Sequence, residues 1–301
     1  MIAWTRLVEI LSPDFLLHHA LYGSVVVGLV CPLVGVYFLL RRLVFLGVVL
    51  PQVSTAGIAF AFMLEGLGLR LLAGGAGHEK HLAIAGAVVF TSLTILALAA
   101  LERRGQGISE GRIGTLYALA GAASILFVAW NAAGETEMLG LLKGEIVTIS
   151  EADFHAMLDA FALVTVAMLL FQREFLLVSY DRDMAVTLGR NVLFWDTLLY
   201  LVVGLTISLG VMTVGPLVIF GLLVIPPMAA LPWARGMMSF SLIASLLGGL
   251  SGFAGFYASY TRDLPLGPTI VCTAFLLLAL SRLAAAYWGS LRLLGAGFRS
   301  F

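Results

Sequence analysis

The chain has 301 residues, 61% of them hydrophobic and 11% charged, with a mean hydropathy of +1.05, a mix far outside that of soluble globular domains. Seventeen basic and seventeen acidic residues cancel, so no overall field points to nucleic acid or to a polyanionic partner. Cys31 and Cys272 lie in apolar runs, which leaves neither a disulfide framework nor a zinc knuckle to build. Glu9 and Pro13 interrupt the N-terminal stretch, so no compact cleavable signal is expected there.

A helix that crosses a hydrocarbon core about 30 Å thick needs roughly 20 apolar residues. Nine stretches qualify: 15–40, 43–64, 82–101, 113–130, 152–171, 197–211, 214–231, 240–257 and 266–287. The expected fold class is all-α, a polytopic transmembrane bundle of about nine helices forming one domain over residues 1–301. Ser12 before Pro13, and Ser150 with Asp153, are spaced as helix starts for the first and fifth spans. Spans six and seven meet at residues 210–214 without a charged turn, so one broken helix is the alternative there. Gly248 and Gly252, and likewise Ser251 and Gly255, are four apart and let helices approach closely.

Orientation follows from the tendency of Lys and Arg to stay in short cytoplasmic loops. With Arg41 and Arg42 inside, alternation keeps Arg103, Arg104, Arg112, Arg173, Arg182, Arg190, Arg235, Arg282, Arg292 and Arg299 inside too. Only Arg6, Arg70, Lys80, Lys143 and Arg262 fall outside. Fusing spans six and seven would move Arg235 and the tail outside and spoil this split.

The long inside loop, residues 172–196, carries a short helix expected over 182–188, with Asp181 as N-cap and Gly189 as stop. Met184, Ala185 and Leu188 are expected on one apolar face. Outside the bilayer core such a face lies on the lipid surface or docks into a partner's groove.

The segment Ser179-Tyr180-Asp181-Arg182-Asp183-Met184-Ala185-Val186-Thr187-Leu188-Gly189 resembles the coupling helix of the zinc/manganese/iron permeases of ABC importers, the ABC-3 family. Three further segments are similar to that family, in its order: LLRRLVFLG at 39–47, VGPLVIFGLLVIPPMA at 214–229 and LPLGPTIV at 264–271. The resemblance implies a type II importer-like permease in a prokaryotic plasma (inner) membrane. It implies a homodimer, a separate cytoplasmic ABC ATPase docked on residues 181–185, Leu188 and Gly189, and an extracytoplasmic metal-binding protein. The cargo would be a divalent zinc, manganese or iron ion, with no permanently bound cofactor and ATP used by the partner. The chain itself lacks a GxxxxGK[ST] phosphate loop and no nucleophile, acid and base set is evident, so it is expected to be no enzyme.

The sequence departs from that family where an Asp and, four residues later, a His are usual, because Val48 and Gln52 stand there, with Pro51 between them. Gln52, Ser54 and Thr55 offer neutral oxygens, which hold a bare transition-metal ion less well than carboxylate and imidazole do. The remaining metal candidates are His155 and Asp159, one helical turn apart, with Glu65 near the outer end of span two. His18, His19, His78 and His81 also fall on the outer side. HEKH at 78–81 is one residue too short for the zinc-protease motif. The alternatives are a permease for a metal chelate or other small solute, which the loss of the Asp and His favours, and an ion-coupled secondary carrier.

Overall fold

The computed structural model describes residues 15, 17–67, 78–103, 110–130 and 151–297. Among the described residues there are eleven α-helices and no strand. In chain order these are α1 (His18–Leu40), α2 (Leu46–Gly66), α3 (His78–Arg103), α4 (Glu110–Ala129), α5 (Glu151–Leu170) and α6 (Gln172–Tyr180). There follow α7 (Arg182–Thr187), α8 (Val192–Val214), α9 (Pro216–Ala230), α10 (Met237–Arg262) and α11 (Leu266–Gly297). Among the described residues eight helices are long and apolar enough to cross a membrane, and nine spans result where α5 and α6, bent by 66° at their junction, are taken together as one. The helix starts expected at Ser12 and Ser150 lie outside the described residues.

The structure resolves the ambiguity between spans six and seven. Gly215 has φ 86° and ψ 160°, a combination that only glycine adopts without strain. A Cβ on Gly210 would lie 2.9 Å from Ile219 Cγ1, so Ile219 rests on Gly210. Residues nine apart in one continuous helix would be separated by about 13.5 Å along its axis. The chain therefore folds back at Gly215, and α8 and α9 are distinct helices. Span six also starts earlier than its apolar run, at Val192, because the Asn191 side chain accepts from the Phe194 amide at 3.2 Å.

Apolar burial drives little association inside lipid, so close approach of backbones has to do that work. Helix α1 is the centre of the packing, lined by α10, α9, α5 and α8, while α2 packs on α3 and α4. Pro32 deprives the Gly28 carbonyl of its i+4 donor, and that carbonyl points at Gly248 of α10, where any Cβ would collide with it. Pro227 does the same to the Leu223 carbonyl, which points at Gly35 of α1. In both places a carbonyl released by proline faces a glycine Cα on the neighbouring helix, where a Cα–H can approach it. Gly252 meets the Ser24 carbonyl, and Gly57 and Gly86 pair α2 with α3 in the same manner. Toward the outside of the bundle, α4 and α11 leave Ile125, Leu126, Phe275, Leu276, Leu280 and Leu283 exposed.

Contacts at helix ends sort the bundle into two poles. At one, Phe15 packs on Tyr260 at 5.3 Å between ring centroids, and His19 on Phe154 at 4.8 Å. At the other, Arg41 reaches Ser179, Asp196 and Tyr200. Arg42, Arg173, Arg182, Arg190 and Arg235 lie in segments joined to this second pole, which the positive-inside rule makes cytoplasmic.

Candidate functional site

At the cytoplasmic pole the expected loop 172–196 is mostly helical. Its first nine residues form α6, which buries Phe175 and Val178 against the bundle. Their i, i+3 spacing, with Leu176 and Leu177 beside them, is the sequence signal for this helix. Helix α7 is built as expected at both ends. The Asp181 carboxylate accepts from the Met184 amide at 2.8 Å. Gly189, at φ 70°, donates to the Val186 carbonyl and Arg190 to the Ala185 carbonyl, the two bonds of a Schellman stop. The expected apolar face divides, however. Ala185 is fully buried against the body of the protein, whereas Met184 and Leu188 are exposed together with Val186. The small side chain is the one that goes inward. Asp183, Arg182 and Gly189 are on the exposed side of this segment.

Behind α7 lies a charge cluster that the sequence reading did not single out. Asp196, in the second turn of α8, has a side chain 9% exposed and pairs with Arg41 at 2.7 Å and with Arg182. Arg41, also 9% exposed, donates in addition to Ser179 Oγ at 2.9 Å and to the Tyr200 hydroxyl at 3.1 Å. One guanidinium thus ties the end of α1 to the end of α6 and the start of α8 through its fork of donors. The signal available in the sequence was an acidic residue one turn inside an apolar span, which needs a partner. A second ion pair, Arg190 with Glu174 at 3.2 Å, closes the loop back onto α6. Beside α7 an apolar groove of about 680 Å³ runs between α6 and the start of α10, lined by Leu176, Leu177, Met184, Met237 and Phe240.

The metal candidates are placed as follows. His155 and Asp159 are both exposed, one turn apart on α5 at the outer pole. The His155 ring lies 5.9 Å from Phe154, whose other neighbour is His19, and His19 lies 3.9 Å from His18. His18 Nδ1 donates to the Phe15 carbonyl at 2.8 Å. Glu65 is half-buried in the last turn of α2. Gln52 is half-buried too, its amide nitrogen 3.6 Å from where a Cβ on Gly121 of α4 would sit. Ser54 and Thr55 are buried, Thr55 donating to the Pro51 carbonyl of its own helix at 2.9 Å. Among the described residues no three His, Cys, Asp or Glu side chains converge as a metal cage. His78 and His81 belong to the first turn of α3.

A family model described as ABC 3 transport family matches residues 14–285. The chain is 26% identical over 273 residues to the manganese transport system membrane protein MntC of Halalkalibacterium halodurans, covering 91% of this chain and 88% of that one. It is 27% identical over 267 residues to the zinc transport system membrane protein TroC of Treponema pallidum, covering 87% and 86%. Among solved structures, PsaBC from Streptococcus pneumoniae in complex with Fab superposes with a TM-score of 0.77 at 24% identity, covering 93% of this chain and 95% of that one.

Proposed function

The chain belongs to the ABC 3 transport family, and from that premise we propose that it is the membrane-spanning permease of an ATP-driven importer of divalent transition metal ions. The manganese and zinc systems named for its relatives supply the cargo class. The observation that carries the reading is α7, capped at both ends and seated on the bundle through Ala185 with Met184, Val186 and Leu188 uncovered. Apolar side chains in that position call for a protein groove to receive them. A separate cytoplasmic ABC ATPase supplies it, and the permease itself hydrolyses nothing. Two copies of the chain enclose the passage, and an extracytoplasmic binding protein delivers the ion to the outer pole. There His155 and Asp159 are the proposed receiving pair, with Glu65 and Gln52 further along α2. Binding of ATP draws the two ATPases together and turns the passage from one side to the other.

The test is metal uptake by vesicles carrying this chain with and without its ATPase, comparing manganese, zinc and iron. We expect uptake that requires the ATPase and falls to background in the Met184→Asp, Leu188→Asp double variant, with the ATPase no longer co-purifying. Uptake that persists without any ATPase and collapses with the proton gradient would replace this reading with a secondary carrier.

A further inference from the structure

A docked ATPase can move the passage only if α7 is mechanically joined to the helices that line it. From Asp181 to Arg190 every residue except Ala185 is exposed, so few contacts can carry that motion. Ala185 rests on the body through a single methyl group, a contact that resists a push and gives way to a pull. The backbone leading into α7 passes through Asp181, at φ −142° and ψ 94°, an extended joint between two helices. Two ion pairs leave the segment: Arg190 with Glu174, which returns only to α6, and Arg182 with Asp196, which reaches α8. Asp196 is held in turn by Arg41, and Arg41 by Tyr200 and Ser179.

A carboxylate 9% exposed, paired with an equally buried Arg41 and with Arg182 at the water's edge, is an expensive choice if stability alone mattered, because apolar residues in place of a buried pair commonly do as well or better. What charge adds is direction: the hydrogen-bonded pair holds under tension as well as compression and fixes which groups meet. We propose that Asp196 is the positioning residue that makes α7, the end of α1 and the start of α8 move as one body, so that displacement of the docking helix reaches the membrane bundle in both strokes of the cycle. The inference rests on α7 being the ATPase-docking helix.

Spin labels at Thr187→Cys on α7 and Leu201→Cys on α8, in a Cys272→Ser background, report the junction directly in the full complex with its ATPase and binding protein in proteoliposomes. Both positions are at the protein surface. With Asp196 present, the inter-label distance is expected to be the same in the nucleotide-free and ATP-trapped states. In Asp196→Asn it is expected to shift or broaden when ATP is bound. Manganese moved per ATP hydrolysed should fall roughly tenfold in that variant, the scale that one member of a coupling network carries, while hydrolysis and co-purification of the ATPase persist. A label distance that changes with nucleotide while Asp196 is present overturns the proposal, as does an unchanged transport ratio in Asp196→Asn. Should Asp196→Asn not assemble, the measurement with Asp196 present still decides. Failure of the docking reading shows separately, as an ATPase that still co-purifies with the Met184→Asp, Leu188→Asp variant.

Discussion

The crossing of α1 with α10 and the junction of α1 with α6, α7 and α8 involve the two halves of the same helix, yet they are held by opposite means. Toward the middle of the membrane, Gly28 lies against Gly248 and Ser24 against Gly252, with no charge in the contact and nothing between the backbones. Twelve or so residues further along α1, Arg41 is bound by a carboxylate and two hydroxyls. The difference follows from the solvent. Lipid tails are as apolar as leucine, so interior helices gain by contact area and by the approach that glycine permits. At the membrane edge water competes for polar groups, and a charge is retained only where its partners are fixed in place. Shape holds the first region and directed bonds hold the second.

The largest expected effect breaks the first region. Gly28→Leu places a side chain where even a Cβ would strike the Gly248 carbonyl, and two backbones would have to separate to admit it. Overpacking of an ordinary core costs about 1–3 kcal/mol, and here the obstacle is main chain rather than a movable side chain. We expect no monodisperse protein on size-exclusion chromatography after detergent extraction. A well-behaved Gly28→Leu protein would mean that the glycines are tolerated there rather than required.

A smaller effect sharpens the second region. Tyr200→Phe keeps the ring beside Arg41 and removes one acceptor from a guanidinium that remains paired with Asp196. Leaving one buried donor unsatisfied costs about 1–3 kcal/mol. The expected result is a lowered midpoint of thermal unfolding in detergent with the protein still folded and monodisperse. An unchanged midpoint would assign the stability of the junction to Asp196 and Ser179 alone.

The same contrast explains what could be read from the sequence. All nine apolar spans are helices, because hydrophobic length is a local property that a bilayer enforces directly. The close packing at Gly248 and Gly252 was also legible, since spacing on one helix suffices to mark a stripe of small residues. The caps of α7 are local as well. By contrast, the Arg41 and Asp196 pair joins residues 155 positions apart, and no periodicity links them. The break after α5 was legible, since the fifth apolar run ends at Phe171, but α6 was not, because Gln172, Arg173 and Glu174 open it with the polarity of a loop. Met184, Ala185 and Leu188 diverge because which face of a one-turn helix turns inward depends on what lies behind it. His155 and Asp159 were placed correctly as neighbours on one helix, while their relation to Glu65 and Gln52 depends on tertiary packing that sequence spacing does not encode.

The smallest expected effect separates the two kinds of charge within the junction itself. Arg190 and Glu174 form an ion pair at 3.2 Å, but their side chains are 50% and 21% exposed, against 9% for Arg41 and Asp196. Water screens the exposed pair and two long side chains lose freedom in forming it, so pairs of this kind contribute at most about 1 kcal/mol. Arg190→Ala should therefore leave the unfolding midpoint nearly unchanged at 0.15 M salt, where the Debye length is about 8 Å. If raising the salt weakens the unmodified protein no more than the variant, Arg190 is a solvated cation at the loop's end. If Arg190→Ala instead uncouples ATP hydrolysis from uptake as strongly as Asp196→Asn does, the loop is held at both ends. The contrast between a buried clamp and a surface contact would then give way to a single closed frame around α7.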